Sequence, residues 1–448
     1  MRRLAAVLAV PVVVAACTGS CGAKPAPPGA NVLLVSIEAL RTDHVGAVRD
    51  GIPLTPNLDA LAAAGTRFDA AYAAAAFTLP SLHTITTGEP PPVHRVRFWT
   101  HFGNRFRGPT LATLFRERGY RTGFFTGHGY LDPYPLLRRD FDAWEAQKEA
   151  RASFVLDHAQ RFLDETGDRP FFLWLHVFEP HTPYAPEDEY ARGVADLDAY
   201  HAAGPATFSV ETWIGTVPDA RGPALADALY ASEVRAADAA LGSILAELDR
   251  RGLRGNTLVC VVADHGESLS WDPPPRWDHA WTVDRHLVHV PLVIAGPGIA
   301  AGAERSDLAR HLDLAPTLVA RTGGRGVDGW LGRDLFGDTA PPRFVVAESS
   351  IASRQDAPFF TVTDTIGSLR IDPSTGKLGF VDETAGRARR TAVDPDAPDA
   401  ASAARLAFWR ELAPLLATRA AERNDAGEDR ATLSPEQEAM LRGAGYLR

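Results

Sequence analysis

The sequence predicts an α/β fold with a mostly parallel sheet, because strand-like and helix-like segments alternate along the chain. Two apolar runs, Asn31–Ile37 and Asn256–Ala263, have the length and the Val, Leu and Ile content of strands buried on both faces. Each run leads directly into polar residues, Glu38 after the first and Asp264 after the second. Ligands in open α/β sheets bind beyond the carboxyl ends of the strands. The sequence therefore predicts a site where these two strands end.

Length and composition limit the domain organisation and the class of partner. The 448-residue chain is 45% hydrophobic, which suits one large α/β domain with an appendage, or two domains. Its formal net charge of −10 argues against nucleic acid as a partner, because phosphate backbones require a dense basic surface. Lysine is rare, since Lys24, Lys148 and Lys377 are the only lysines among 46 basic residues.

Residues 1–17 are predicted to be a lipoprotein signal peptide ending in the lipidated Cys17. Arg2 and Arg3 precede an uncharged stretch of 13 residues, which is shorter than a membrane-spanning helix but suits a signal peptide. The segment Val14–Cys17 resembles a bacterial lipobox. We expect an exported cell-envelope lipoprotein, periplasmic or outer-membrane anchored, that meets the membrane through its lipid anchor only. Ordinary cleavage nearby, with release, is the alternative.

A flexible tether over residues 18–30, rich in Pro and Gly, is expected to lead into a main domain over residues 31–346. In that domain, Pro56 in a first turn and Gly65 at the end bound a short helix. Thr110 is a candidate N-cap for a helix closed by Gly119. The other expected elements are strands over 121–126 and 170–176, helices over 148–165 and 223–251, and an irregular segment over 190–220.

A small α+β subdomain is expected over residues 347–448. Strand candidates at 359–362, 368–372 and 378–381 are separated by turn residues. A helix over 400–423 and a short closing helix over 435–442 complete the predicted subdomain.

The polar residues at the two strand ends, together with Thr78, suit a divalent cation. Glu38, Asp264 and His265 supply two carboxylates and an imidazole. Thr78 stands just before a Pro-Ser pair typical of a helix start, whose positive end favours an incoming anion. A threonine hydroxyl is a weak nucleophile at neutral pH, but a bound metal ion would activate it. The expected substrate is therefore an anionic ester, either a phosphate or a sulfate.

Eight segments of the chain follow one another in the order of a known protein family, which is far more specific than any one motif. On these segments the chain resembles the sulfatase branch of the alkaline-phosphatase superfamily over essentially its whole mature length. The resemblance implies a doubly wound sheet and a metal-centred site that cleaves esters. The segments are Asn31–Asp43, Thr55–Gly65, Thr78–Gly88, Pro170–Tyr184, Asp264–Glu267, Val290–Gly298, Asp313–Leu318 and Leu433–Leu447.

The chain departs from typical sulfatases at the position of the nucleophile. Sulfatases carry Cys or Ser followed by x-Pro-x-Arg, and they oxidise that first residue to formylglycine. Here Thr78 and Leu82 stand at the first and last positions, and oxidation of threonine would give a ketone instead of the aldehyde. Sulfatases also place lysines on the sulfate, whereas Lys148, the only lysine in residues 31–346, is expected on a helix away from the motifs.

The set of Glu, Thr, Asp and His is similar to the one-metal site of the extracytoplasmic phosphotransferases of this superfamily, such as lipoteichoic acid synthases and phosphoethanolamine transferases. This resemblance implies that Thr78 attacks phosphorus and forms a phosphothreonine, which water or an acceptor alcohol then resolves. Those families are multi-pass membrane proteins, whereas this chain is expected to carry at most a lipid anchor. The difference favours a hydrolase.

Three further side chains are candidates for contact with the substrate. His181 matches a substrate-contacting histidine of the family. His279, in Asp278–Ala280, stands where the family usually has Gly-His-Gly, and it suits anion binding or protonation of a leaving group. Arg41 is a candidate phosphate clamp, with a structural salt bridge as the alternative. His128 and His176 are weaker candidates for the site.

One divalent metal ion is the expected cofactor. The mixed ligand set favours Mn or Zn, while the resemblance to arylsulfatases leaves Ca open. The expected function is hydrolysis of phosphate or sulfate esters through Thr78, on a substrate that carries a glycan or a lipid headgroup. Two alternatives stay open: a sulfuric ester hydrolase without formylglycine, and a catalytically degenerate sulfatase-fold protein that binds anionic glycans.

Overall fold

The computed structural model of the protein describes residues 29–99, 101, 103, 105–207, 209–218, 221–269, 277–349, 359–373, 375–382, 389–426 and 435. The predictions for the signal peptide, for lipidation of Cys17, for nearly all of the tether and for nearly all of the closing helix lie outside these residues. Among the described helices, none has both the length and the apolar composition needed to cross a bilayer.

The described elements alternate between strands and helices over most of the chain. The strands are β1 (Asn31–Ile37), β2 (Val48–Arg49), β3 (Ile52–Pro53), β4 (Thr66–Phe68), β5 (Ala71–Tyr72), β6 (Arg121–Thr126), β7 (Ala143–Ala146), β8 (Phe171–Val177), β9 (Thr257–Ala263), β10 (Leu292–Ala295), β11 (Ala303–Arg305), β12 (Ala309–Arg310), β13 (Val345–Glu348), β14 (Phe360–Thr363), β15 (Gly367–Ile371), β16 (Leu378–Asp382) and β17 (Arg389–Val393). The α-helices are α1 (Pro56–Ala63), α2 (Thr78–Thr87), α3 (Pro91–His94), α4 (Leu111–Arg116), α5 (Pro135–Arg138), α6 (Ala152–Thr166), α7 (Asp188–Ala191), α8 (Leu197–Ala203), α9 (Val210–Ile214), α10 (Gly222–Arg250), α11 (Arg285–Val288), α12 (His311–Arg321) and α13 (Ala400–Arg423).

An eight-stranded sheet forms the centre of the fold, in the order β11-β4-β10-β9-β1-β8-β6-β7. The five strands from β9 to β7 are mutually parallel. Only β10 in this sheet is antiparallel to both of its neighbours. The prediction of an α/β fold with a mostly parallel sheet is therefore confirmed.

Helices cover both faces of this sheet. Phe171 and Phe172 are consecutive in β8, so their side chains point to opposite faces. Phe162 of α6 packs against Phe171 with ring centres 6.4 Å apart, and Phe115 of α4 packs against Phe172 at 4.8 Å. The sheet is thus doubly wound, as the resemblance implied.

The carboxyl ends of four neighbouring parallel strands meet at one edge of the sheet. Ile37 of β1 is in register with Ala263 of β9 on one side and with Val177 of β8 on the other. Thr126, the last residue of β6, is in register with His176. The residues that follow these strands therefore lie together in space, as the positions of Glu38 and Asp264 in the sequence predicted.

Two local predictions are wrong. The helix expected over 148–165 begins only at Ala152, because Lys148 pairs through its backbone with His128 and Glu149 adopts a left-handed conformation with φ of 51°. The segment expected to be irregular over 190–220 contains the short helices α8 and α9 and the end of α7. The late start of α6 arises from contacts with residues distant in sequence, since Glu179 Oε1 accepts the first amide of α6 at 3.0 Å.

The C-terminal residues form a five-stranded antiparallel sheet in the order β13 to β17, with α13 packed on it. The helix Ala400–Arg423 has the bounds that the sequence predicted. A small apolar cluster separate from the main core joins these elements, formed by Phe344, Val362, Leu369, Ile371, Leu378 and Leu406. The predicted C-terminal α+β unit is therefore present.

Gly65, which follows α1, provides a test of the packing between that helix and the sheet. A Cβ atom at this position would lie 2.5 Å from Ala295 Cβ and would also clash with the carbonyl oxygen of Ile294. We expect Gly65→Ala to lower the free energy of unfolding by about 1–3 kcal/mol, because rigid backbone cannot move aside. Denaturant titration followed by circular dichroism measures the change.

Gly255 is the matched control, because a Cβ atom there would meet no atom within 4 Å. Gly255→Ala should change the free energy of unfolding by less than about 0.5 kcal/mol. Equal losses in the two variants would show that the close approach at Gly65 does not limit stability.

Candidate active site

Glu38 and Asp264 are held side by side by the turn that follows the central strand. Ala39 adopts a left-handed conformation with φ of 54°, and its amide donates to Asp264 Oδ1 at 3.0 Å. The Tyr230 hydroxyl on α10 donates to the Ala39 carbonyl at 2.7 Å. Buried hydrogen bonds from two other elements thus fix the direction in which Glu38 leaves β1.

The structure brings Glu38, Asp264 and His265 together as the sequence predicted. One possible ligand atom from each of the three side chains lies within 4.8 Å of the others, and all three residues are fully buried. Asp264 Oδ1 is occupied by the amides of Ala39 and His265, while Oδ2 has no hydrogen-bond partner. Glu38 Oε2 also has no hydrogen-bond partner. Two unpaired carboxylate oxygens therefore share one buried space.

His265 is oriented so that one ring nitrogen faces this space. Its Nδ1 lies 2.7 Å from the carbonyl oxygen of Gly266, so Nδ1 carries the proton and donates it. Nε2 then carries a lone pair, and it lies 3.4 Å from Asp264 Oδ2. A backbone carbonyl that fixes the tautomer in this way is the usual support of a metal-binding histidine.

Thr78 lies in the first turn of α2 and completes the predicted set. Its Oγ1 donates to Glu38 Oε1 at 2.9 Å and lies 3.2 Å from His265 Nε2. The residue is fully buried, and the helix start directs the positive end of its dipole at the site. The hydroxyl therefore lies among the proposed ligands rather than serving as a surface cap.

The donor set of these four residues fits a divalent cation. Two buried carboxylates next to each other repel, and burial together with the charge of Glu38 raises the pKa of Asp264. For Glu38, burial is outweighed by His128 and His181, which hold its pKa well below the usual range. Buried carboxylate oxygens without a hydrogen-bond partner are costly, and a cation would supply the missing interaction to both of them.

His279 lies at the edge of this set with a carboxylate behind it. Its Nδ1 lies 3.3 Å from each of the two carboxylate oxygens of Glu267, and its buried Nε2 has no hydrogen-bond partner. Its ring centre is 4.4 Å from that of His265. Burial disfavours the charged form, but Glu267 outweighs it and raises the pKa of His279 to about 9. A charged donor therefore lies beside His265.

His181 also lies in the site. Its ring centre is 5.1 Å from that of His279, and its Nε2 is 3.8 Å from Glu38 Oε1. Its Nδ1 lies 2.5 Å from the carbonyl oxygen of Thr182, which orients the ring. Burial lowers the pKa of His181 to about 4, although Glu38 acts in the opposite direction. The predicted role of His181 in substrate contact stays a prediction.

Arg41 forms the structural salt bridge that was the alternative to a phosphate clamp. Its guanidinium pairs with the Asp43 carboxylate at 2.9 and 2.6 Å and donates to the carbonyl oxygen of Glu267 at 2.7 Å. These contacts tie the turn after β1 to the segment that carries His265. Substrate binding by Arg41 stays a prediction and would compete with these bonds.

Two histidines that were only weaker candidates from the sequence lie next to Glu38. His128 Nε2 is 3.3 Å from Glu38 Oε1, and His176 Nε2 is 3.3 Å from Glu38 Oε2. His176 lies in β8 and His128 follows β6, so both belong to the sheet edge that carries the site. Their positions at strand ends were visible in the sequence, but the order of the strands was not.

Comparison with known proteins identifies the family of the chain. The family model described as Sulfatase matches residues 30–324, which is more than half of the chain. An ulvan-active sulfatase from Formosa agariphila is 24% identical over 344 residues, which cover 69% of this chain and 65% of that protein. The chain thus spans slightly less than two thirds of the length of that relative.

Solved structures show the same fold at lower identity. Phosphonate monoester hydrolase from Silicibacter pomeroyi has a TM-score of 0.61 at 20% identity, with 91% of this chain and 98% of that chain covered. The lipoteichoic acid synthase LtaP from Listeria monocytogenes has a TM-score of 0.65 at 15% identity, covering 89% and 94%. From the family match over residues 30–324, we conclude that this chain belongs to the sulfatase family.

Proposed function

We propose that the protein is an exported, metal-dependent hydrolase that cleaves phosphate esters with Thr78 as its nucleophile. The observation that carries the proposal is the position of Thr78 Oγ1, which lies 2.9 Å from Glu38 Oε1 and 3.2 Å from His265 Nε2. A hydroxyl placed among a carboxylate and an imidazole, at the start of a helix, suits attack on an anionic centre.

Glu38, Thr78, Asp264 and His265 would hold the metal ion. When bound, a divalent cation lowers the pKa of a coordinated hydroxyl and neutralises charge on the substrate. The backbone amides on Asp264 Oδ1 leave Oδ2 for the ion, and the Gly266 carbonyl keeps the His265 Nε2 lone pair directed at it. Mn or Zn suits this mixed set better than Ca, which prefers six or more oxygens.

The reaction proceeds in two steps. Thr78 Oγ1 forms a bond to phosphorus while the bond from phosphorus to the leaving oxygen breaks. The threonine proton is directed at Glu38 Oε1, its hydrogen-bond acceptor. Water then attacks the phosphothreonine, breaks the bond between Oγ1 and phosphorus, and regenerates the hydroxyl and inorganic phosphate or a phosphate monoester.

His279 is the proposed proton donor to the leaving oxygen. Its unpaired Nε2 carries a proton while Glu267 holds Nδ1, so the charged ring can give that proton to a developing alkoxide. His181, 5.1 Å away between ring centres, is the proposed second contact to the substrate. The organic part of the substrate is proposed to be a glycan or a lipid headgroup.

A phosphate ester is proposed as the substrate, rather than a sulfate ester, because of the residues at positions 78 and 82. Thr78 cannot become a formylglycine, and Leu82 replaces the arginine that follows the nucleophile in typical sulfatases. The ulvan-active relative and the phosphonate monoester hydrolase bear names for different esters, so both ester classes belong in the test. Export is proposed from the basic, apolar and lipobox pattern of residues 2–17.

Replacement of Thr78 tests the nucleophile. We expect Thr78→Ala to lower kcat for p-nitrophenyl phosphate and phosphodiesters by at least about 10³-fold, because the attacking oxygen is lost. Thr78→Ser, which keeps the hydroxyl, should retain most activity. Steady-state kinetics on paired phosphate, phosphodiester and sulfate esters measure the effect. Cleavage of the sulfate ester alone would support the alternative of a sulfuric ester hydrolase. Unchanged binding and turnover in Thr78→Ala would exclude Thr78 as the nucleophile.

Replacement of Asp264 tests the metal site independently of turnover. We expect Asp264→Asn to lower the affinity for Mn²⁺ or Zn²⁺ by at least about 10-fold, because Oδ2 loses its charge while the shape of the side chain is kept. Calorimetric titration of metal-free protein measures the affinity. Asp313→Asn is the control, since this buried aspartate accepts the amides of Arg310 and Arg333 and is not among the candidate ligands. Equal losses in both variants would contradict the assignment.

Replacement of His279 tests the proton donor. We expect His279→Gln to lower kcat/KM by about 10²-fold or more for an alkyl phosphate ester, whose leaving oxygen needs a proton. The same variant should lose much less with p-nitrophenyl esters, whose leaving group departs as an anion. An equal loss with both esters would show that His279 binds or shapes the site without donating the proton.

A further inference from the structure

The segment that carries His181 is held on both sides of this residue by buried carboxylates. Before His181, Glu179 Oε1 accepts the amide of Ala152 at the start of α6 at 3.0 Å. After His181, the amide of Ala185 donates to Glu233 Oε1 on α10 at 2.7 Å. Both carboxylates are buried, with Glu179 3% and Glu233 1% exposed. The histidine that is proposed to contact the substrate therefore lies between two attachments, one to α6 and one to α10.

Arg151 connects these two carboxylates. Its Nη1 donates to both oxygens of Glu233 at 3.0 Å and lies 3.7 Å from Glu179 Oε1. Arg151 is the residue directly before α6, so one guanidinium group joins α6, α10 and the segment after β8. We call Arg151, Glu179 and Glu233 the Arg151 network. These residues come from three separate parts of the sequence, and only the tertiary structure brings them together.

The Arg151 network contains two carboxylates and one guanidinium group. Glu179 Oε2 is buried and has no hydrogen-bond partner. Burial raises the pKa of Glu233 to about 7, with Glu179 acting in the same direction and Arg151 against it. Burial also raises the pKa of Glu179. Below about pH 7 the two carboxylates therefore share one proton, which leaves the network without net charge.

Acidic and phenolic groups from two further helices also face the Arg151 network. They are Glu187 directly before α7, Tyr190 in α7 and Tyr200 in α8. None of these three groups can supply a positive charge. When both carboxylates of the network are ionised, one buried negative charge therefore lacks a counterion among these groups and Arg151, which is costly in a buried space.

We propose that Arg151 and Glu233 are positioning residues for His181, and that the Arg151 network holds the His181 segment most firmly while its two carboxylates share one proton. The proposal rests on the proposed contact of His181 with the substrate. A cavity of about 140 Å³ borders Arg151 and Glu179, which leaves room for water to enter when the network opens. The opposing arrangement is a salt bridge that stabilises α6 and α10 without any effect on His181.

Amide hydrogen exchange tests the Arg151 network without any turnover. Exchange of the peptide covering residues 178–186 is followed by mass spectrometry in the full-length protein. Arg151→Met should raise its exchange rate by about 5-fold or more, because the guanidinium group joins both attachments, and Arg151→Lys should reduce that increase. Arg49→Met is the matched control, since Arg49 pairs with Asp227 of the same helix α10 at 2.6 and 3.0 Å, outside the network. Unchanged exchange in Arg151→Met would overturn the proposal.

The shared proton is tested through the pH dependence of the same exchange. The closed network raises the pKa of Glu233 from its ordinary value of 4.5 to about 7, so its stability falls as the pH rises across this interval and is constant above it. Glu233→Gln keeps an oxygen for the Ala185 amide but removes the titrating group. The exchange rate of wild type divided by that of Glu233→Gln should rise about 3-fold or more from pH 5 to pH 8. A ratio that does not change with pH would overturn the shared proton.

A double-mutant cycle tests whether the Arg151 network acts through His181. KM and kcat for a phosphodiester are measured for Arg151→Met, His181→Ala and the double variant, after circular dichroism has shown that each is folded. Arg151→Lys replaces Arg151→Met if the latter does not fold. Each single variant should raise KM by about 5-fold or more with a smaller change in kcat, and the double variant should be no worse than His181→Ala.

The effects of Arg49→Met and His181→Ala on KM should multiply, because Arg49 lies outside the network. Effects of Arg151→Met and His181→Ala that also multiply would overturn the positioning role. If wild type cleaves none of the esters, the proposed function fails, while the exchange experiment still decides whether the network holds the His181 segment.

Discussion

The buried pair of Glu38 and Asp264 is the constraint on which the rest of the site depends. Two carboxylates that are fully buried and close together repel each other, and each leaves one oxygen without a partner. Three kinds of contact offset this repulsion. Backbone amides donate to Asp264 Oδ1, imidazoles lie around Glu38, and the Thr78 hydroxyl donates to Glu38 Oε1. A bound cation, as proposed above, would supply the interactions that these two oxygens lack.

The parallel sheet is what makes this convergence possible. Four neighbouring strands, β9, β1, β8 and β6, end at one edge in register, so residues at or just after the strand ends lie close together. Helices on both faces exclude water from the strands, so the polar groups of the site lie at the strand ends. The start of α2 then adds the hydroxyl and a favourable dipole from one face.

Family membership and local chemistry point in partly different directions. The family match and the fold place the chain among sulfatases, yet Thr78 and Leu82 remove two features of the formylglycine mechanism. The Glu, Thr, Asp and His set offers a different way to activate an oxygen, through ligation rather than oxidation. His128 and His176 add two imidazoles next to Glu38 in this part of the site.

The sequence by itself determined the fold class, the central strands, the bounds of α13 and the set of Glu38, Thr78, Asp264 and His265. These follow from hydrophobic periodicity and from polar residues placed directly after strands, which are local signals. The late start of α6, the short helices within 190–220 and the ion pair of Arg41 with Asp43 were decided by the tertiary structure. So was the approach of His128 and His176 to Glu38, because strand order and register bring together residues that no local pattern connects.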